Sequence, residues 1–151
     1  MEEFKSINEI LEFAIASEQD AVEFYSNLAD QSKNTEMKAV FQQFAKEEMN
    51  HKSRLIKIQD EGSFELKSEK IHDLKIADYL VDVQVSPKMS YQDALVVAMK
   101  KEKAAFKLYT NLAAKAPNES LKNIFLSLAQ EESKHKLRFE IEYDDYILKE
   151  N

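Results

Sequence analysis

Apolar residues recur along four stretches of this chain in alternating steps of four and three, the spacing of helices that bury one face in a left-handed bundle. The first stretch runs Ile7, Leu11, Ala14, Glu18, Ala21, Tyr25, Leu28, and the second Met37, Phe41, Phe44, Glu48, His51, Leu55, Ile58. The third is Tyr91, Leu95, Ala98, Glu102, Ala105, Tyr109, Leu112, and the fourth Leu121, Phe125, Leu128, Glu132, His135, Phe139. Each predicts a helix, over 7–31, 35–60, 91–115 and 119–148. Ser6 with Glu9 and Ser90 with Asp93 have capping-box spacing, and Asn34 and Asn118 stand where an N-cap would open the second helix of each pair. Gly62 is placed to end the second helix, and Pro117 to separate the last two.

The four stretches are two copies of one pattern. Between Ser6 and Arg54, 18 of 49 positions are identical to the residue 84 further on, without a gap. The shared residues include Glu18/Glu102, Tyr25/Tyr109, Asn34/Asn118, Glu48/Glu132 and His51/His135. A duplicated helical hairpin accounts for this, with repeats at 6–60 and 90–148 joined by residues 61–89. Short loops make the helices within each repeat antiparallel neighbours, and the long connection can return the chain along the length of a bundle. DLKIADYLV (73–81) reads as a short amphipathic helix within that crossover. The expected fold is all-α: one domain over 1–151, a four-helix bundle with a long crossover between helices 2 and 3 and a pseudo-two-fold axis.

Composition supports this and removes alternatives. One Gly and two Pro leave little of the turn chemistry that many short strands need. A chain of 151 residues can bury a core without disulfides. The absence of Cys excludes thiolate metal sites, iron–sulfur clusters and thiol nucleophiles. With 21 basic against 28 acidic residues the net charge is −7, and no basic stripe stands out as a nucleic-acid footprint. MEEFKSINEI does not read as a signal peptide, and no run of about 18 apolar residues suggests a membrane span. The expectation is a cytoplasmic protein without nucleic-acid or membrane partners.

The ionisable residues in the seams carry the chemistry. Bringing the four seams together places Glu18, Glu48, His51, Glu102, Glu132 and His135 in one apolar layer. A buried carboxylate costs several kcal/mol unless compensated, and neighbouring carboxylates raise the cost. No Lys or Arg lies on a seam, so the compensating charge should come from bound cations, and two divalent ions would balance four carboxylates. One Glu from each of two helices and Glu-x-x-His from each of the other two is the ligand pattern of ferritin-like di-metal carboxylate proteins. One ion is expected on Glu18, Glu48 and His51 and the other on Glu102, Glu132 and His135, with Glu48 and Glu132 bridging. Oxygen-rich ligation with one nitrogen per ion suits iron, with manganese or zinc as substitutes. Tyr25 and Tyr109 lie two turns along the same seams, either orienting a ligand carboxylate or simply packing in the core. Glu47 and Glu131 repeat one position off the seam and read as facing solvent or a neighbouring helix. His72 has no repeat partner and reads as exposed, and EYDDYILKEN (142–151) reads as a frayed helix end, with a role in association as the alternative.

Four segments, AIASEQDAVEFYSNLA (14–29), FQQFAKEEMNHKSRL (41–55), AMKKEKAAFKLYTNLA (98–113) and FLSLAQEESKHKLRF (125–139), resemble the rubrerythrin family of the ferritin-like superfamily, in its forms without a rubredoxin domain. The resemblance implies a non-haem di-iron protein, often a homodimer, that reduces hydrogen peroxide or oxygen and serves oxidative-stress defence. It carries over the six residues named above as iron ligands. Because this chain has no Cys, electrons are expected from an external donor such as a rubredoxin-type protein. The family's peroxidases carry an extra carboxylate three residues after the third-helix Glu, and that position here is Ala105. The competing expectation is an iron-binding or ferroxidase protein that handles iron without peroxidase turnover.

Overall fold

Each helix begins where a side chain can satisfy its first amide groups. The computed structural model describes residues 6–61, 79 and 89–150, with the side chains of the last two left aside. Helix α1 spans Ile7–Gln31 and α2 Thr35–Asp60, followed by α3 over Tyr91–Lys115 and α4 over Glu119–Glu150. Ser6 Oγ accepts from the Glu9 amide and Ser90 Oγ from the Asp93 amide, each at 3.1 Å. Asn34 Oδ1 accepts from the Met37 amide at 3.1 Å, and Asn118 Oδ1 from the Leu121 amide at 2.9 Å. The four expected caps are therefore the observed ones, and the repeat extends to the hydrogen bonds that start its helices. Pro117 lies in the short turn between α3 and α4. Gly62, His72 and nearly all of the expected 73–81 helix lie outside the described residues.

The described helices fall into two compact units, one holding α1 and α2 and the other Tyr79, α3 and α4. In the first, the seams bury Leu11, Ala14, Phe41 and Leu55 completely. Burying each large apolar side chain contributes about 1.5–3 kcal/mol, which is what holds two antiparallel helices together. Two polar contacts fix their register: Lys52 Nζ donates to Gln19 Oε1 at 2.8 Å, and Gln59 Nε2 to Asn8 Oδ1 at 2.9 Å.

The second unit repeats this with Leu95, Ala98, Phe125, Leu128 and Phe139 fully buried. Gln92 Nε2 donates to Tyr143 OH at 3.4 Å, joining the positions that Asn8 and Gln59 occupy in the first unit. Next to it, Tyr91 OH donates to Glu142 Oε2 at 2.9 Å, where the first unit has the buried apolar Ile7 and Ile58. Tyr146 packs edge-on against Tyr91 with ring centroids 5.2 Å apart. Helix α4 runs through Glu150, close to the expected end at 148, and Glu142, Tyr143 and Tyr146 are tied to the start of α3. Tyr79 is buried, and its hydroxyl accepts from Asn111 Nδ2 at 2.8 Å.

The buried stripe is wider than the seam. Ile10, Phe24, Ala29 and Ala45 in the first unit, and Ala94, Val97, Leu108, Ala113 and Ala129 in the second, are also buried. Conversely Phe44, Tyr91, Ala105 and Leu121 are only half-buried. A core-facing helix buries three to four positions in every two turns, whereas a strict four–three seam counts two in seven residues.

Candidate metal centre

The middle of each unit holds the charged layer. Glu18 on α1 and Glu48 and His51 on α2 are buried in the first unit, and Glu102 on α3 and Glu132 and His135 on α4 in the second, none more than 3% exposed. Residues three apart share a helix face, so Glu48 and His51 project together, as do Glu132 and His135. The opposing helix supplies the remaining carboxylate.

In the first unit His51 Nδ1 stands 3.6 Å from Glu18 Oε2 and 3.7 Å from Glu48 Oε2. In the second, His135 Nδ1 stands 3.5 Å from Glu102 Oε1 and 4.0 Å from Glu132 Oε1. One candidate ligand atom from each member of either triad lies within 4.8 Å of the other two. Both triads thus turn the same imidazole nitrogen toward their carboxylates, an orientation that spacing alone leaves undetermined.

The donor chemistry fits a cation. Eight buried side-chain atoms make no hydrogen bond among the described residues: Glu18 Oε2, both oxygens of Glu48, both nitrogens of His51, Glu102 Oε2, Glu132 Oε1 and His135 Nδ1. All eight belong to the six residues of the two triads. Buried polar atoms ordinarily make hydrogen bonds, and carboxylate oxygens with an imidazole nitrogen are the donor set that iron, manganese or zinc accepts. A cation in each triad would compensate these groups without rearranging the fold.

Titration behaviour reflects the same crowding. Burial, and then the like charge of Glu48, raises the Glu18 carboxyl well above its ordinary value. Burial pulls His51 down, but the facing carboxylates of Glu18 and Glu48 outweigh it and push the imidazole up to about 10. In the metal-free protein the first triad therefore holds protons where a metal would sit, so metal and protons compete for it.

Tyr25 and Tyr109 are fully buried on the same seams. The Tyr25 ring lies edge-on to Phe24 at 5.7 Å and to Phe44 at 6.3 Å, so it is at least a core residue. Glu47 and Glu131 are half-buried and belong to neither triad. Ala21 and Ala105, each three residues beyond the α1 or α3 glutamate, offer no donor. Among the described residues, no helix is long and apolar enough to cross a membrane.

The rubrerythrin family model matches residues 9–86 and 93–151, nearly the whole chain. A search of curated proteins gives no match. Among solved structures, a ferritin-like diiron-carboxylate protein from Thermotoga maritima superposes with a TM-score of 0.80 at 20% identity, over 97% of this chain and 99% of that one. A hypothetical protein from Pyrococcus furiosus gives a TM-score of 0.73 at 25% identity, over 92% and 89% of the two chains. The fold is all-α and ferritin-like, and this chain belongs to the rubrerythrin family.

Proposed function

We propose that this protein is a di-iron oxidoreductase that reduces hydrogen peroxide or oxygen with electrons from an external donor. The observation that carries the reading is the pair of buried Glu/Glu/His triads, one in each helical hairpin, each with candidate ligand atoms that lie within 4.8 Å of one another. Glu18, Glu48 and His51 would hold one ion, and Glu102, Glu132 and His135 the other. Iron, when bound, supplies Lewis acidity and one-electron redox chemistry in a water-poor interior.

The protein's own groups do the rest. His51 Nδ1 faces two carboxylates, which favours neutral imidazole only once a cation replaces its proton. Fully buried apolar neighbours such as Leu11, Ala14 and Leu55 keep bulk water from the donors and so strengthen electrostatic interactions there. Tyr25 and Tyr109 would steady the adjacent carboxylates. Reducing peroxide to water consumes two electrons and two protons. An external donor would supply those electrons, and a rubredoxin-type one-electron donor fits that requirement.

The test is to mix anaerobically reduced, iron-loaded protein with hydrogen peroxide and follow ferric absorption. Oxidation well above the rate of free ferrous iron, lost in Glu48→Ala and Glu132→Ala, is the expected result; no acceleration overturns the proposal. A second reading, iron binding and oxidation without peroxidase turnover, is favoured by Ala105 at the position where the family's peroxidases carry a carboxylate. Fast oxidation in the first pulse of peroxide, without turnover when a donor is supplied, would select it.

A further inference from the structure

The two hairpins share their ligand pattern but not the charge of the helix that opens each. Helix α1 carries six acidic residues and no basic one, a formal charge of −6. Its repeat counterpart α3 carries two acidic residues against five lysines, a formal charge of +3. A divalent cation approaching from solution is attracted by α1 and repelled by α3, and where a cleft focuses such a field the association rate rises about 10–1,000-fold.

The first hairpin has such a cleft. A cavity of about 580 Å³ opens between α1 and α2, with Val22, Ala45 and Met49 in its wall and Asp30 and Gln42 farther along toward the α1–α2 turn. Val22 lies four residues beyond Glu18, and Ala45 three before Glu48. Each is thus one helical turn, about 5–6 Å between Cβ atoms, from a triad carboxylate. Asp30 and Gln42 are exposed and offer the oxygen ligands that hydrated divalent ions accept in exchange for water. Lys46 stands in the same wall and opposes a cation. In the second hairpin the counterparts of Val22, Asp30 and Gln42 are Phe106, Ala114 and Leu126, with Phe106 41% and Leu126 40% exposed. The duplication preserved both triads, but the oxygen donors beside them at these positions belong to the first hairpin.

We propose that the α1–α2 groove is the path by which a hydrated divalent metal ion enters the first triad. Asp30 and Gln42 receive the ion, and the small side chains of Val22 and Ala45 leave the gap through which it passes to Glu18 and Glu48. A path is needed because Glu18, Glu48 and His51 are at most 2% exposed, so an ion in bulk water cannot reach them without passing between the helices. The inference rests on the metal reading of the triad and adds the route. Val22 and Ala45 form its narrow point, and a phenylalanine at position 22, as the second repeat carries, would fill it. Asp30 and Lys46 set the rate in opposite senses, the carboxylate by attraction and the ammonium by repulsion.

The test mixes full-length, metal-free protein with cobaltous ion by stopped flow, follows the visible absorption of the bound ion, and counts cobalt per chain at the end. Val22→Phe should slow uptake of the first equivalent at least about tenfold, because the ion must then wait for a local opening of the helices, while the final cobalt content stays that of wild type. At low salt Asp30→Asn should slow uptake and Lys46→Gln should speed it, each about two- to fivefold, and both effects should shrink in about 0.5 M salt. A merely structural role for the groove would not give opposite signs to two exposed substitutions. Unchanged uptake in Val22→Phe, or rates in Asp30→Asn and Lys46→Gln that shift the same way or not at all, overturns the route, while normal final cobalt content upholds the site. A wild type that binds no cobalt overturns the metal reading and the route with it. Circular dichroism checks folding, and if Val22→Phe does not fold, the two exposed substitutions decide.

Discussion

Glu18→Met should change stability in opposite directions with and without metal. Glu18 is 2% exposed, its Oε2 makes no hydrogen bond, and burial together with Glu48 holds its carboxyl well above the ordinary range. An imperfectly satisfied buried polar group costs about 1–3 kcal/mol. Replacing buried charged groups by apolar ones of similar volume is often neutral or stabilising by about 1–4 kcal/mol. Methionine keeps the length and volume of the side chain, and His51 retains Glu48 at 3.7 Å as its partner. The metal-free protein should therefore gain about 1–3 kcal/mol, and at about 2–4 °C per kcal/mol for a chain of this size its Tm should rise by roughly 2–12 °C. With metal the sign reverses. A ligand present at about a thousand times its Kd stabilises by about 4 kcal/mol, and removing a donor forfeits most of that. The assay is thermal unfolding by circular dichroism in a chelator and again with added ferrous, manganous or zinc ion. If Glu18→Met lowers Tm equally under both conditions, Glu18 supports the fold rather than a metal and the reasoning fails.

Two further outcomes follow from the same structure. Glu18 is raised above 4.5 and His51 is raised from 6.5 to about 10, so the folded metal-free state binds more protons than the unfolded one. The stability linked to His51 is full below pH 6.5 and lost as pH climbs through about 10, and that linked to Glu18 is lost from about pH 4.5 upward. Metal-free protein should thus become steadily less stable to urea from pH 5 to 9 while the stabilisation added by metal grows, and a rise in metal-free stability across that range would contradict the assignment. Asn34→Ala and Asn118→Ala each remove the oxygen that caps α2 or α4, and each should cost about 1 kcal/mol in urea denaturation; an unchanged midpoint would mean that these caps are idle.

What could be read from the residues was whatever depends on nearest neighbours along the chain. Helix periodicity and caps are local, so the expected starts at residues 7, 35, 91 and 119 are the observed ones. The six ionisable seam residues were found because a helix carries them rigidly with the apolar residues around them, and all six are buried. The expected span of α4, 119–148, agrees with the observed helix through Glu150, but its ties to Tyr91 and Gln92, some fifty residues away in sequence, could not be read from EYDDYILKEN itself.

The sequence by itself determined where the helices lie, that they repeat, and which six side chains enter the core, because helical geometry fixes the direction of a side chain relative to its own axis. Tertiary structure decided the rest. It turned Nδ1 of both histidines toward the paired carboxylates, exposed Phe106 and left Ala105 only half-buried. It opened the α1–α2 cavity. Each of these depends on what the neighbouring helix places opposite a residue, and that is set by packing between segments distant in sequence rather than by the periodicity of either one.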